Sequence, residues 1–250
     1  MKITILRFDE IGSTNTEALN QARRGADEGL CIVARRQTAG RGRHGRAWIS
    51  EADAGLYFSI VLRPKLETRF LPLITLMTAV AVHDTLEETY EIDCDIKWAN
   101  DIHVRDKKIC GILAETADTP KGLAVVVGIG INIKSSNFPP EIADIATSIE
   151  AETKRKINSA ELLEALTRFL DYHYEILPEA GGAEKIRREW TRRSSYAAGK
   201  NVRVFLENET ISGTTDGIEE NGALRVRIET GETRIIQAGD VEKLRREPRF

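Results

Sequence analysis

Between Asp95 and Ile133 three strand-like stretches follow one another with only short turns between them: Asp95–Val104, Lys108–Thr116 and the apolar run Leu123–Ile133. The first two are joined through the polar turn Arg105-Asp106-Lys107. Strands in adjacent runs, rather than in strict strand–helix alternation, exclude a doubly wound parallel sheet and predict an α+β fold, a mixed β-sheet with flanking helices. Further strands are expected at Lys2–Phe8, Leu30–Arg35 and Gly55–Leu62. Thr14 and Glu17 have capping-box spacing for a helix ending before Gly25. Pro72 opens an amphipathic helix carrying Leu73, Leu76, Val80 and Leu86. Asn158 with Glu161 caps another, with Leu162, Leu166, Phe169, Leu170 and Leu177 at helical spacing.

From Lys200 the pattern changes to short strands, Val202–Leu206, Thr210–Asp216, Leu224–Ile228 and Thr233–Gln237, broken at Asn208, Asn221-Gly222 and Gly231. This predicts a small C-terminal β-barrel. So short a module is marginal alone and should dock on the larger one. The expected units are 1–198 and 199–250.

The composition limits what such a fold can do. A net charge of −3 opposes generic nucleic-acid binding, so any anion site must be local. No apolar stretch approaches the roughly 18 residues of a membrane span, and the N-terminus lacks a secretory pattern, so no DNA or membrane partner is expected and the location is read as cytoplasmic. Cys31, Cys94 and Cys110 are far apart among apolar neighbours and are read as reduced core thiols, with no metal held by a side-chain cluster.

The local anion site is found in Thr38–Trp48. Between Gly29 and Ser50 there is no acidic residue, yet Arg35, Arg36, Arg41, Arg43 and Arg46 are present, interleaved with Gly40, Gly42 and Gly45. Guanidinium forks match phosphate and carboxylate oxygens, and glycines let backbone N–H groups approach the same anion. The same composition would also suit a solvated basic loop. Gly40-Arg41-Gly42-Arg43-His44-Gly45 fits a dinucleotide fingerprint, but no helix opens inside it. The crowded arginines predict a segment that is mobile until an anion binds.

Two further segments carry polar chemistry. Lys97-Trp98-Ala99-Asn100-Asp101 is followed by Lys108 and Gly111; in a regular strand Lys97, Ala99 and Asp101 share one side and Trp98 the other. The lysines suit phosphate or carboxylate, and Asp101 suits a lysine or magnesium, although a surface ion pair explains the pattern as well. Gly128-Ile129-Gly130-Ile131-Asn132 ends an apolar strand with two glycines, which mark a close ligand or backbone approach, or a bend. Ser13, Thr14 and Asn15 read first as helix-capping types.

Taken in order, these segments resemble the catalytic region of biotin protein ligases over nearly the whole chain. The resemblance implies a class II synthetase-like catalytic fold with a C-terminal SH3-like barrel. It implies activation of biotin by ATP as biotinyl-5'-AMP, then transfer to a lysine of a biotin carboxyl carrier protein of acetyl-CoA carboxylase or another biotin-dependent carboxylase. Ser13, Thr14, Asn15 and Gln37 would meet the ureido ring, with Gly40, Arg41, Gly42, Arg43, Lys108 and Gly111 completing the biotin site towards carboxylate and phosphate. Arg41, Arg43, Trp48, Lys97, Asn100 and Asn132 would hold ATP and the adenylate; Arg41, Lys108, Asp101 and Lys97 would act in catalysis, and magnesium would come with ATP near Asp101. Ala99 stands where the family usually has proline, His44 where arginine is common, and no second tryptophan follows Asn132 to cover the adenine. The resemblance further implies the enzyme-only form, since the first catalytic strand begins at Ile3, and a homodimer through the main sheet. The rival readings are a lipoate or octanoate ligase or transferase of the same fold, and a nucleic-acid-binding module.

Overall fold

The computed structural model describes residues 1–135 and 138–243. In chain order the elements begin with β1 (Thr4–Ile11), α1 (Thr14–Arg23), β2 (Leu30–Gln37), β3 (Gly55–Leu62), α2 (Pro72–Tyr90), β4 (Asp95–Lys97), β5 (Asp101–Val104), β6 (Lys107–Thr119) and β7 (Gly122–Asn132). Next come α3 (Pro140–Ala143), α4 (Ile149–Thr153), α5 (Ser159–Ile176) and α6 (Gly182–Arg193). The C-terminal strands are β8 (Ala198–Phe205), β9 (Thr210–Ile218), β10 (Leu224–Ile228), β11 (Thr233–Ile236) and β12 (Asp240–Lys243). The first seven strands form one sheet in the order β1-β2-β3-β7-β6-β5-β4. β1 and β2 are parallel, joined by α1, and the other pairs are antiparallel, so the sheet is mixed as expected.

Period-two alternation gives this sheet two different faces. On β7, Val125, Val127, Ile129 and Ile131 enter the main core with α2 and α5, while Ala124 and Val126 pack under α1 with Ala18, Leu19 and Ala22. Continuing along that second face, the strand offers Gly128, Gly130 and Asn132. The apolar layer thus gives way to a floor without side chains just where α1 begins, and this positions the site.

Three local expectations are corrected. Asp95–Val104 is not one strand: β4 and β5 form a tight hairpin in which Lys97 pairs with Asp101. The reversal is held by Trp98, whose buried indole donates to Gly222 O at 3.0 Å, and by Asn100, whose amide donates to Ile112 O at 3.0 Å. The cap of α1 is Ser13, whose side chain accepts from Thr16 N, rather than a Thr14–Glu17 box. Finally α2 is buried on nearly every side rather than amphipathic, and Thr78 and Thr85 return their hydroxyls to Ile74 O and Ala81 O within it. Thr68–Tyr90 is long and apolar enough to cross a membrane, but 72% of its apolar window is buried inside the protein, so it serves here as a core helix.

The C-terminal strands form a five-stranded antiparallel, SH3-like sheet in the order β11-β10-β9-β8-β12. Among the described residues β11 and β12, the two ends of this order, are not paired to each other. Sequence reading missed β12. The sheet docks as its size requires: Val202, Val204, Leu224 and Val226 join the main core, and Ser194 Oγ donates to Ile96 O at 2.6 Å just before β8.

Candidate active site

At one end of the glycine floor is a buried polar network. Asn15 lies against Gly128, where an added Cβ would come within 2.4 Å of its Oδ1. The Ser59 hydroxyl is 2.8 Å from both Asn15 Oδ1 and Thr14 Oγ1. The Thr14 hydroxyl also lies 3.1 Å from Gln37 Oε1, so the two hydroxyl protons are shared among three close contacts. The backbone N–H of Thr14 donates to Gln37 Oε1 at 2.8 Å, and Gln37 Nε2 donates to Ser50 Oγ at 2.8 Å. Asn15 Nδ2 donates to Leu113 O and to Glu115 Oε2 at 2.8 Å. Ser13, Thr14, Asn15 and Gln37 therefore come together, each orientation fixed before any ligand arrives. Ser50, Ser59 and Glu115 were missed from the sequence, although Ser59 is a lone polar residue in an apolar strand and had to find a partner.

The glycine–arginine segment folds back on itself. Trp48 N donates to Gly40 O at 2.9 Å and Gly42 N to Arg46 O at 2.7 Å, while Arg41 bridges Ala47. An added Cβ at Gly40 would meet Trp48 O at 2.3 Å, so this close approach of backbones requires glycine. The arginines do not repel one another unopposed, as expected from the sequence. Arg35 pairs with Asp53 and Asp9, Arg36 with Glu10, Arg41 with Glu115 and Arg46 with Asp240. Arg43 donates to Asn100 Oδ1 at 2.6 Å and to Gly239 O at 3.1 Å. Apart from Asp53, the acidic partners come from other strands, β1, β6 and β12, which no local count of charge reveals. Arg41 lies beside the Asn15 network, on the same carboxylate as Asn15.

Trp48 lies flat on the floor's second half. Gly111 and Gly130 face each other across β6 and β7, and a Cβ at Gly130 would fall 2.4 Å from the indole. Lys108 Nζ stands 5.4 Å from the ring centroid and ion-pairs with Asp101 Oδ1 at 2.7 Å. Beyond the tryptophan opens a cavity of about 500 Å³, lined in part by Gly42, Arg43, Trp48, Lys97, Asn100, Asp101, Lys108 and Asn132. Phe138, Ile142 and Ile145 supply its apolar wall, which the sequence did not disclose. That wall is tied to Lys108 by backbone bonds, Lys108 N to Ile145 O at 2.8 Å and Thr147 N to Lys108 O at 2.9 Å. Asn132 Nδ2 donates to Thr147 O at 3.0 Å from the opposite strand. His103 also lines the cavity; burial, reinforced by Lys97, pushes its pKa down to about 4, so it is neutral beside the lysines.

The arrangement joins a polar, preorganised pocket to a cation-lined cavity along one strand. In comparison with known proteins, residues 8–132 match the biotin/lipoate A/B protein ligase family and residues 198–244 match the biotin protein ligase C-terminal domain. The chain belongs to the biotin protein ligase family. Relatives include the bifunctional ligase/repressor BirA of Bacillus spizizenii, 37% identical over 94% of this chain and 72% of that protein. The biotin–[acetyl-CoA-carboxylase] ligase of Mycobacterium tuberculosis is 32% identical over 94% of this chain and 87% of its own. Among solved structures, the Aquifex aeolicus biotin protein ligase in complex with biotin and ATP superposes with a TM-score of 0.84 at 30% identity, covering 97% of this chain and 99% of that one.

Proposed function

We propose that this ligase activates biotin with ATP in one extended site and passes the biotinyl group to a lysine of a biotin carboxyl carrier protein. The observation that carries this reading is the continuous glycine floor, which runs from Asn15 over Gly128 to Trp48 over Gly130. Gly128 to Asn132 spans about 13 Å of strand, enough to lay a bicyclic head, a flexible acid tail and a nucleotide end to end. The network of Ser13, Thr14, Asn15 and Gln37 reads the ureido ring. Gly40, Gly42 and Gly111 let backbone approach the tail, and Trp48 with Asn132 takes the adenosine.

Biotin's carboxylate attacks the α-phosphorus, so two anions must meet before pyrophosphate leaves. Lys108 and Arg43, with Lys97 and Asn100 on the same cavity wall, offset that repulsion by fixed charge and position. Arg41 acts from the ureido end, through its pair with Glu115. Asp101 holds Lys108 in place. A magnesium ion fits as one carried in on the phosphates, since Asp101 and Asp240, two of the carboxylates that line the cavity, each already hold a cation. When present it offsets phosphate charge. The carrier lysine then attacks the biotinyl carbonyl and AMP leaves.

We assign catalysis to residues 1–198 and a supporting role to 199–250. The three free, buried thiols suit a cytoplasmic location. Pyrophosphate exchange into ATP, run separately with biotin, lipoate and octanoate, tests the reading. Exchange with biotin alone is expected; exchange driven only by lipoate or octanoate overturns the substrate assignment.

A further inference from the structure

The two ends of the glycine–arginine hairpin are held by different parts of the molecule. Its base belongs to the catalytic sheet: Thr38 N and Ala39 N donate to Ile11 O and Gly12 O at 2.9 and 2.8 Å, and Arg41 pairs with Glu115. Its tip, residues 43–46, reaches the C-terminal sheet instead. Arg46 Nη2 meets Asp240 Oδ2 at 2.6 Å, His44 Nε2 lies 3.9 Å from Asp240 Oδ1, and Arg43 donates to Gly239 O at 3.1 Å. Within the catalytic unit Arg43 bonds to Asn100 Oδ1 and lies 3.5 Å from its neighbour His44 Nε2.

The receiving surface is built rather than incidental. An added Cβ at Gly239 would meet Leu206 Cδ2 at 2.9 Å and Val204 Cγ1 at 3.0 Å, so the chain is pressed onto β8 and its carbonyl is fixed towards Arg43. Asp240 opens β12, paired with Phe205, and its side chain is only 24% exposed against 71% for Arg46. The more buried acid thus holds an exposed guanidinium. Both residues line the mouth of the cavity that contains Trp48 and Lys108.

We propose that Asp240 and the Gly239 carbonyl form a latch by which the C-terminal sheet holds the hairpin tip down over the site. Asp240 is a positioning residue: it acts through Arg46 and the loop, not on the reacting atoms. The latch slows loop opening, and with it escape of the acyl-adenylate before a carrier lysine arrives; this second consequence rests on the function proposed above.

Hydrogen exchange of the ligand-free protein tests the latch without reference to activity. Amides of Gly42, Arg46 and Trp48, which close the hairpin, are expected to exchange about two- to five-fold faster in Asp240→Ala, the scale of one exposed ion pair, while α1 and α5 keep their protection. Asp240→Asn, which keeps the shape and removes the charge, should move the same amides in the same direction. The double variant Arg46→Ala/Asp240→Ala should exchange no faster than Asp240→Ala, because the two act as one interaction. Unchanged loop exchange in both Asp240 variants, or effects of the two sites that multiply, overturns the latch. Release of biotinyl-adenylate from Asp240→Ala should accelerate by the same factor as loop exchange. If the parent makes no biotinyl-adenylate, the functional reading fails while the exchange result still judges the latch; adenylate made and released at parental rate with unchanged exchange refutes the latch alone.

Discussion

Gly128 and Gly130 sit two residues apart on one face of one strand, yet one lies against Asn15 and the other against Trp48, so on the proposed layout alanine at each should damage a different substrate. In Gly130→Ala the new methyl would lie 2.4 Å from the Trp48 ring, and the indole must move about 1 Å to regain ordinary contact. Loss of its stacking on a base corresponds to about 1–3 kcal/mol, or roughly a 5- to 150-fold rise in the KM for ATP. In Gly128→Ala the methyl meets Asn15 Oδ1 at 2.4 Å, which expels the amide from its bonds to Ser59, Leu113 and Glu115. Disrupting that buried network should cost about 1–3 kcal/mol in the KM for biotin and leave that for ATP nearly unmoved. Pyrophosphate exchange titrated with each substrate separates the two, and tryptophan fluorescence reports whether Trp48 has moved. If both variants raise the same KM, or if Gly130→Ala leaves ATP untouched with Trp48 displaced, the linear layout of the site is wrong.

Lys108→Ala should slow adenylate formation in a single turnover by about 10²–10³-fold while biotin retention in equilibrium dialysis changes far less; equal losses contradict a role at the phosphorus. Glu115→Gln keeps an acceptor for Asn15 but removes the charge that pairs with Arg41, so biotin affinity should fall about two- to ten-fold by calorimetry, and an unchanged affinity would separate Arg41 from the ureido pocket. His103 sets an acid sensitivity: its pKa is about 4 when folded against 6.5 in an open chain, so between those values the unfolded chain binds the extra proton and stability drops as pH falls. The full effect is about 3 kcal/mol in urea unfolding, and His103→Gln should flatten the pH 4–6.5 slope; an identical slope in parent and variant removes His103 from the account.

How much of this was legible depended on the range over which each residue finds its partner. Adjacent strand runs, the Pro72 and Asn158 helix starts and the switch to short strands near Lys200 are local patterns, and they gave the fold class. The glycines of β7 were visible as a signal of close approach, but their alternation with the apolar core showed which face was bare only once β3 and β6 lay beside them. Glu115 and Asp240 were illegible, because an isolated acid in a strand acquires meaning only from the arginine that reaches it, 74 residues away for Arg41. The hairpin at Trp98–Asn100 was missed for a related reason: the contact that holds it, Trp98 to Gly222, is 124 residues away.

The latch also bears on how such a protein can be made safely. Its site draws on residues 13–15, 37–48, 97–115 and 128–132, and on Gly239 and Asp240. During synthesis at about 5–20 residues per second, the strands that bind the two substrates leave the ribosome several seconds before β12. Over that interval a growing chain can assemble the glycine floor but has nothing to fasten the hairpin tip. A translation pause placed after α6 would prolong an unlatched site, one that loses its reactive mixed anhydride to the surroundings instead of holding it for the carrier.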